Sequence, residues 1–134
     1  YHDLAGMIEG SVWCEQGNEE EGEFFNNVDE TPRTQAELKA YLESSDLDTT
    51  KTIAFFCGDS WGAAKISYWC QSVDLNNVKE WGNGWIPWSN EGNEFIDHNG
   101  DKVHYDKYLD TVVDKDGNDM RDGVNILDDA TEEE

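Results

Sequence analysis

Apolar residues along the chain fall into short clusters separated by acidic, glycine- and asparagine-rich stretches, and the spacing inside each cluster predicts its element. Leu38, Tyr41 and Leu42 recur at helical spacing behind the start signals Thr31-Pro32 and Thr34, which predicts a helix ending before a loop over 44–50. Lys51–Phe56 is a continuous apolar run bounded by turn residues, the pattern of a buried parallel strand. After the loop 57–62, Ala63–Ser72 predicts a second helix, its apolar content supplied by Ala64, Ile66, Tyr68, Trp69 and Cys70. Asn77–Trp81 predicts a short strand closed by the turn Gly82-Asn83-Gly84, and Trp85–Trp88 opens a helical or irregular segment.

The ends read differently. Gly6 and Gly10 mark a turn-rich start that leads to a short strand around Ser11–Trp13. Residues 15–30 are acidic and without periodicity, a surface loop that Phe24 and Phe25 pin to the core. Beyond Gly92, Asn99-Gly100 and Asp116-Gly117 are turn signals around Val103–Tyr108 and Leu109–Val113, consistent with a hairpin or a helix and turn. Residues 128–134 have the composition of a disordered end.

Strands alternating with helices predict an α/β domain with a mainly parallel sheet and helices on both faces. Such sheets bind ligands at the carboxyl ends of their strands, and Cys57 follows one of them.

Charge sharpens this division. The chain has 134 residues, suited to one core, and a formal net charge of −22. Residues 1–50 carry 13 acidic and two basic residues and residues 91–134 carry 15 and four, whereas 51–90 balance three against three. The neutral centre reads as packed core and the flanks as solvated chain. Such a field repels nucleic acid and anionic membrane surfaces. Solubility of exposed chain explains the flanks most simply; an acidic face for a basic protein partner is the alternative. No apolar run approaches the ~18 residues of a membrane span. Cys14, Cys57 and Cys70 are too few and wrongly spaced for a disulfide framework or a zinc site, and they fix no compartment. No cofactor is implied.

FFCGDSWGAA followed by NNVKEWGNGWIPWS resembles the bacterial rhodanese pattern, in which a strand ending in YCGxGWRAS leads to a helix and then to a strand of the kind NVxVYDGGWxEW. AGMIEGSVW is similar to that family's GRIPGAVW. The resemblance runs from about Tyr1 to Trp88 and implies a rhodanese-like domain over 1–91, with 92–134 an acidic C-terminal extension. The family's first strand and its Asp-x-Arg segment would lie before Tyr1, so the domain is expected to be truncated at its N-terminus or to lack that strand. Related bacterial sequences are often exported, which leans towards the cell envelope or secretion.

The resemblance implies sulfur transfer through a persulfide on Cys57. A thiolate attacks a small sulfur donor, and the persulfide then passes its outer sulfur to a thiol or cyanide. The loop Gly58, Asp59, Ser60, Trp61 and Gly62 is the expected substrate-binding cradle, its N–H groups and the following helix N-terminus stabilising an anion, with Gly58 and Gly62 permitting the torsions. The competing view of Cys57 is an inert cysteine at a strand end.

The chain departs from the family in charge. Gly62 stands where an Arg is common, Ser60 where a Gly is common, Met7 where GRIPGA has its Arg, and Asp59 lies within the loop. Turnover of anionic thiosulfate is therefore expected to be weak. Cell-cycle phosphatases of the same fold need HCxxxxxR; here Phe56 precedes the Cys and the loop has no Arg. A degenerate module that binds or regulates a partner is the alternative to the enzyme.

Other features are weighed against plainer explanations. Trp61 is expected at the substrate, while Trp81, Trp85 and Trp88 either line a pocket mouth or pack helix on sheet. Cys70 reads as core; Cys14 would resolve a persulfide only if the fold brought it close. Asp114-x-Asp116-x-Asn118 opens like a calcium loop, but Asp119 and Asn125 stand where Gly and Glu are needed, which favours an exposed Asp-Gly turn. His2, His98 and His104 lack partners at ligand spacing.

Overall fold

The computed structural model describes residues 4–15 and 24–124. The chain forms two compact units, one built from 12–84 and one from 1–11 together with 85–134. The expectation for 128–134, and that for residues 16–23 of the loop 15–30, lie outside the described residues.

The 12–84 unit begins its regular structure with α1, Gln35–Ser44. Thr34 caps it: its hydroxyl accepts the Glu37 N–H at 3.2 Å, and the Glu37 carboxylate accepts the Thr34 N–H at 3.4 Å. These bonds satisfy donors that a helix start leaves orphaned. Leu38 and Leu42, one turn apart, are the buried face.

Strand β1, Ile53–Phe55, pairs in parallel with β2, Val78–Glu80, in the register Ile53↔Val78, Ala54↔Lys79 and Phe55↔Glu80. Helix α2, Trp61–Ser72, connects them. Both strands are shorter than the segments predicted for them; just past their ends the Trp81 N–H still bonds the Phe55 carbonyl at 2.9 Å, and the Phe56 and Trp81 rings pack edge to face 5.8 Å apart. Gln71 donates its amide to the Val78 carbonyl at 3.0 Å, tying α2 to β2.

The core of this unit joins Phe25, Leu38, Leu42, Ile53, Ile66, Cys70, Leu75 and Val78. Phe25, 1% exposed, meets Tyr41 and Phe55 edge-on and so anchors the segment before α1 as expected. Phe24 is exposed and lies over Tyr41 instead. In α2 the buried residues are Ala63, Ile66, Ser67 and Cys70; Ala64 and Tyr68, part of its apolar content, face solvent. Their positions fall a third of a turn from the stripe that meets the strands.

The other unit is antiparallel. Helix α3, Trp85–Asn90, precedes a three-stranded sheet ordered β3 (Phe95–Ile96), β4 (Lys102–Asp106), β5 (Thr111–Val113). One of the two turn signals marks a hairpin of this sheet: Asn99-Gly100 joins β3 to β4, with Gly100 at φ +83. The β4–β5 turn lies instead at 107–110, where Asp106 accepts the Tyr108 and Leu109 N–H groups, and Asp116-Gly117 falls beyond β5. The α/β class with a small parallel sheet is as the sequence predicts; this second sheet is additional to it.

Ser11–Trp13 is no strand. The pairing residue is Met7, which exchanges both backbone bonds with Ile96 at 2.9 Å. Gly6 makes that approach possible, since a Cβ there would stand 2.5 Å from the Phe95 ring. Gly10 has φ +82, and Trp13 is 79% exposed. Leu4, Phe95, Val103, Val112 and Val124 form this unit's core, with Trp85 stacked edge-on against Phe95 and its indole N–H donated to the Leu4 carbonyl at 2.7 Å. Trp85 therefore packs structure within its own unit.

Candidate active site around Cys57

Cys57 stands two residues beyond β1, half-buried, at the head of a loop that enters α2. The helix starts at Trp61, two residues before the Ala63 that the apolar spacing predicts. Five residues, Phe56 to Ser60, therefore make the whole turn from strand to helix.

That turn depends on Ser60. It has φ +78, in the left-handed region that non-glycine residues seldom occupy. The conformation aims its N–H back at Cys57 Sγ, 3.1 Å away. Its hydroxyl does not cap α2 but donates to the Trp81 carbonyl at 2.8 Å, just beyond β2. At 5% exposure, Ser60 is an interior strut between the loop and the second strand, and this bond helps offset the strain.

Gly58 and Gly62, expected to supply the unusual torsions, do not: neither has a positive φ. The glycine that the loop requires is Gly84, at φ +75. A Cβ on Gly84 would lie 2.7 Å from the Gly58 carbonyl oxygen and 2.8 Å from that of Cys57. The turn Gly82-Asn83-Gly84 after β2 thus braces the underside of the cysteine loop. The sequence signal was present in that turn, but nothing in it pointed back to residues 57 and 58.

The remaining loop residues face outward. Asp59 is exposed, and its carboxylate accepts the Trp61 N–H at a long 3.5 Å. Trp61 is 81% exposed. Gly62 lies within the first turn of α2.

The other cysteines are of a different kind. Cys70 is fully buried in α2, and burial pushes its thiol up to about 12, the Cys14 thiol adding to the shift. Cys14 is half-buried against the same cluster, and burial raises it too, against a lowering hydrogen bond from Ser45. A thiol held neutral is a poor nucleophile. All three are free.

Asp114 accepts the Asp116 and Asn118 N–H groups, both at 2.9 Å, and the Asn118 amide at 3.0 Å. These bonds, the Asn118 side chain first, hold its carboxyl below the ordinary range. The stretch is an exposed Asp-Gly turn, with Gly117 at φ +82. Among the described residues no three His, Cys, Asp or Glu side chains converge to hold a metal ion, and no helix is long and apolar enough to cross a membrane.

No protein-family profile matches the chain. Thiosulfate sulfurtransferase YnjE from Escherichia coli (strain K12) is 26% identical over 87 residues, 64% of this chain and 20% of that protein. Among solved structures, wild-type EanB is similar with a TM-score of 0.58 and 27% identity, over 67% of this chain and 21% of that one. The anaerobic ergothioneine biosynthesis enzyme from Chlorobium limicola, in complex with its natural substrate trimethyl histidine, has a TM-score of 0.56 and 29% identity over 64% of this chain and 20% of that one. A further EanB structure, 28% identical with a TM-score of 0.55 over 64% of this chain and 21% of that one, holds a cysteine persulfide in a tetrahedral intermediate state with ergothioneine. The chain spans about a fifth of the length of these proteins.

Proposed function

We infer that this chain, rhodanese-like in sequence and fold, moves sulfane sulfur through a persulfide on Cys57. The observation that carries the reading is the Ser60 N–H donated to Cys57 Sγ at 3.1 Å, at the entrance to α2. The Ser60 N–H and the N-terminal end of the 12-residue helix both present partial positive charge to that sulfur, where the negative persulfide of the transfer would sit.

The transfer balances without an external oxidant or reductant. The Cys57 thiolate attacks the outer sulfur of a donor; the new S–S bond forms as the donor's own bond to that sulfur breaks, and the donor remainder leaves with the electron pair. With thiosulfate the leaving group is sulfite. An acceptor thiolate then attacks the outer sulfur of the persulfide and releases Cys57 as thiolate. Gly58, Asp59, Ser60, Trp61 and Gly62 form the substrate side of the site in this reading, with Ser60 a positioning residue.

Thiosulfate itself is a weak donor here, because Asp59 lies two residues from the nucleophile in a chain of net charge −22. The same absence of basic residues favours a second reading, a degenerate module that binds a basic protein or regulates a neighbour. Intact-mass measurement after incubation with thiosulfate, and separately with polysulfide or mercaptopyruvate, distinguishes the two. A gain of one sulfur on the wild type, absent from Cys57→Ser, supports the enzyme. A folded sample that takes up sulfur from none of the donors leaves only the binding module.

A further inference from the structure

We propose that the small thiol accepting sulfur from Cys57 carries a positive charge beside its sulfur, a protonated amine or a quaternary ammonium group, recognised by the Asp59 carboxylate and the Trp61 ring. This rests on the persulfide reading and adds the charge of the co-substrate.

The sequence supplies the first half of the argument. Between Lys51 and Lys65 there is no Lys, Arg or His, and Asp59 is the single charged residue of that run. The rim of the nucleophile's loop is therefore anionic in its own right, apart from the charge of the flanks. The fold supplies the second half. Trp61 occupies the first position of α2, whose buried stripe is Ala63, Ile66, Ser67 and Cys70, so the indole is left on the outer face at 81% exposure. A large aromatic surface left in water beside a reactive loop has an unused capacity to bind.

The two groups belong to one short segment, tied by the Trp61 N–H to Asp59 contact at 3.5 Å, and they recognise the same thing. A carboxylate attracts a cation by Coulomb attraction, and an indole face does so through its quadrupole. An anionic acceptor meets repulsion from Asp59 and gains nothing from Trp61. In the transfer a zwitterionic acceptor, ammonium at one end and thiolate at the other, attacks the outer sulfur. The bond from that sulfur to Cys57 Sγ breaks, Cys57 leaves as thiolate, and the acceptor departs as its persulfide with its positive charge retained.

The test reads charge preference at Cys57 with and without sulfur transfer. The full chain is treated with 2-(trimethylammonio)ethyl methanethiosulfonate or 2-sulfonatoethyl methanethiosulfonate, and labelling of the Cys57 peptide is timed by mass spectrometry. The cation-to-anion rate ratio is divided by that for free 2-mercaptoethanol. Work at 0.5 M salt, where the Debye length is about 4 Å, suppresses steering by the distant acidic flanks.

A normalised ratio near 10 is expected, falling about 5-fold in Asp59→Asn and about 3-fold in Trp61→Leu, as a local charge contact and a cation–π contact of ordinary strength require. Glu43→Gln, on α1, should leave it within about 2-fold, as surface charge beyond a Debye length is screened. Persulfidated protein, if it forms, should likewise discharge to cysteamine faster than to 3-mercaptopropionate. A ratio near 1, or one that Glu43→Gln lowers as much as Asp59→Asn, overturns the proposal while leaving the persulfide reading intact. A raised ratio on a protein that takes up no sulfur from any donor overturns the persulfide reading and leaves the cation site.

Discussion

The Ser60 N–H points at Cys57 Sγ from 3.1 Å because Ser60 is left-handed, and Ser60 stays left-handed while its hydroxyl holds the Trp81 carbonyl at 2.8 Å. A strained backbone position at the candidate nucleophile is thus supported from β2 by one side-chain bond.

Ser60→Ala keeps the backbone strain and removes that support together with the hydrogen bond to the Trp81 carbonyl. We expect a loss of about 1–2 kcal/mol in urea unfolding. At native conditions the yield of Cys57 persulfide per folded molecule should fall several-fold. An unchanged yield with lowered stability would mean that the hydroxyl is structural only.

Gly84→Ala puts a methyl group where the Cys57 and Gly58 carbonyls already stand, at a φ that alanine avoids. The cost should be about 2–4 kcal/mol, from strain and overpacking together. Gly82→Ala is the control, since a Cβ there would meet only the Glu80 carboxylate, at 3.8 Å. Should the two substitutions prove equally mild by thermal melting, the bracing role of Gly84 is refuted.

Cys70 should make the protein alkali-sensitive. Its folded thiol stands at about 12 against 9.0 for the unconstrained group, so the folded state binds the proton more tightly. Its contribution is complete below pH 9 and is lost as pH rises from about 9 towards 12, with a slope of at most ~1.4 kcal/mol per pH unit. Cys14 and Tyr41 are shifted upward as well, both chiefly by burial, and add to the same trend. Cys70→Ala should be less stable at pH 7, by cavity formation, yet lose stability less steeply between pH 9 and 11 when followed by denaturant titration.

Thr34→Ala removes the cap of α1 and should cost about 1 kcal/mol. The Thr34 hydroxyl and N–H hold the Glu37 carboxyl below its ordinary range. That contribution is present above pH 4.5 and fades as pH falls through the lowered folded value, so the difference between wild type and Thr34→Ala should narrow in acid. A gap that stays constant down to pH 2 would remove Glu37 from the account.

Local chemistry was legible wherever a single segment decided its own conformation. Thr34 and Glu37 announce α1, the apolar run at Ile53 announces β1, and Asn99-Gly100 announces the first hairpin of the second sheet. The cysteine loop was legible as a motif. Its mechanics were not: Gly58 and Gly62 looked like the permissive residues because glycine tolerates such torsions, whereas Ser60 adopts the left-handed turn and Gly84 yields the space. Likewise Met7, not Ser11–Trp13, finds a strand partner, since pairing depends on where Ile96 arrives from 89 residues away.

The sequence by itself determined the position of the candidate nucleophile, the short strand before it, the helix after it and the anionic character of the rim, because each is a property of neighbouring residues. Only the tertiary structure decided which N–H reaches the sulfur and which glycine is indispensable. Both follow from contacts with the end of β2, more than 20 residues on, and no local preference encodes such a contact.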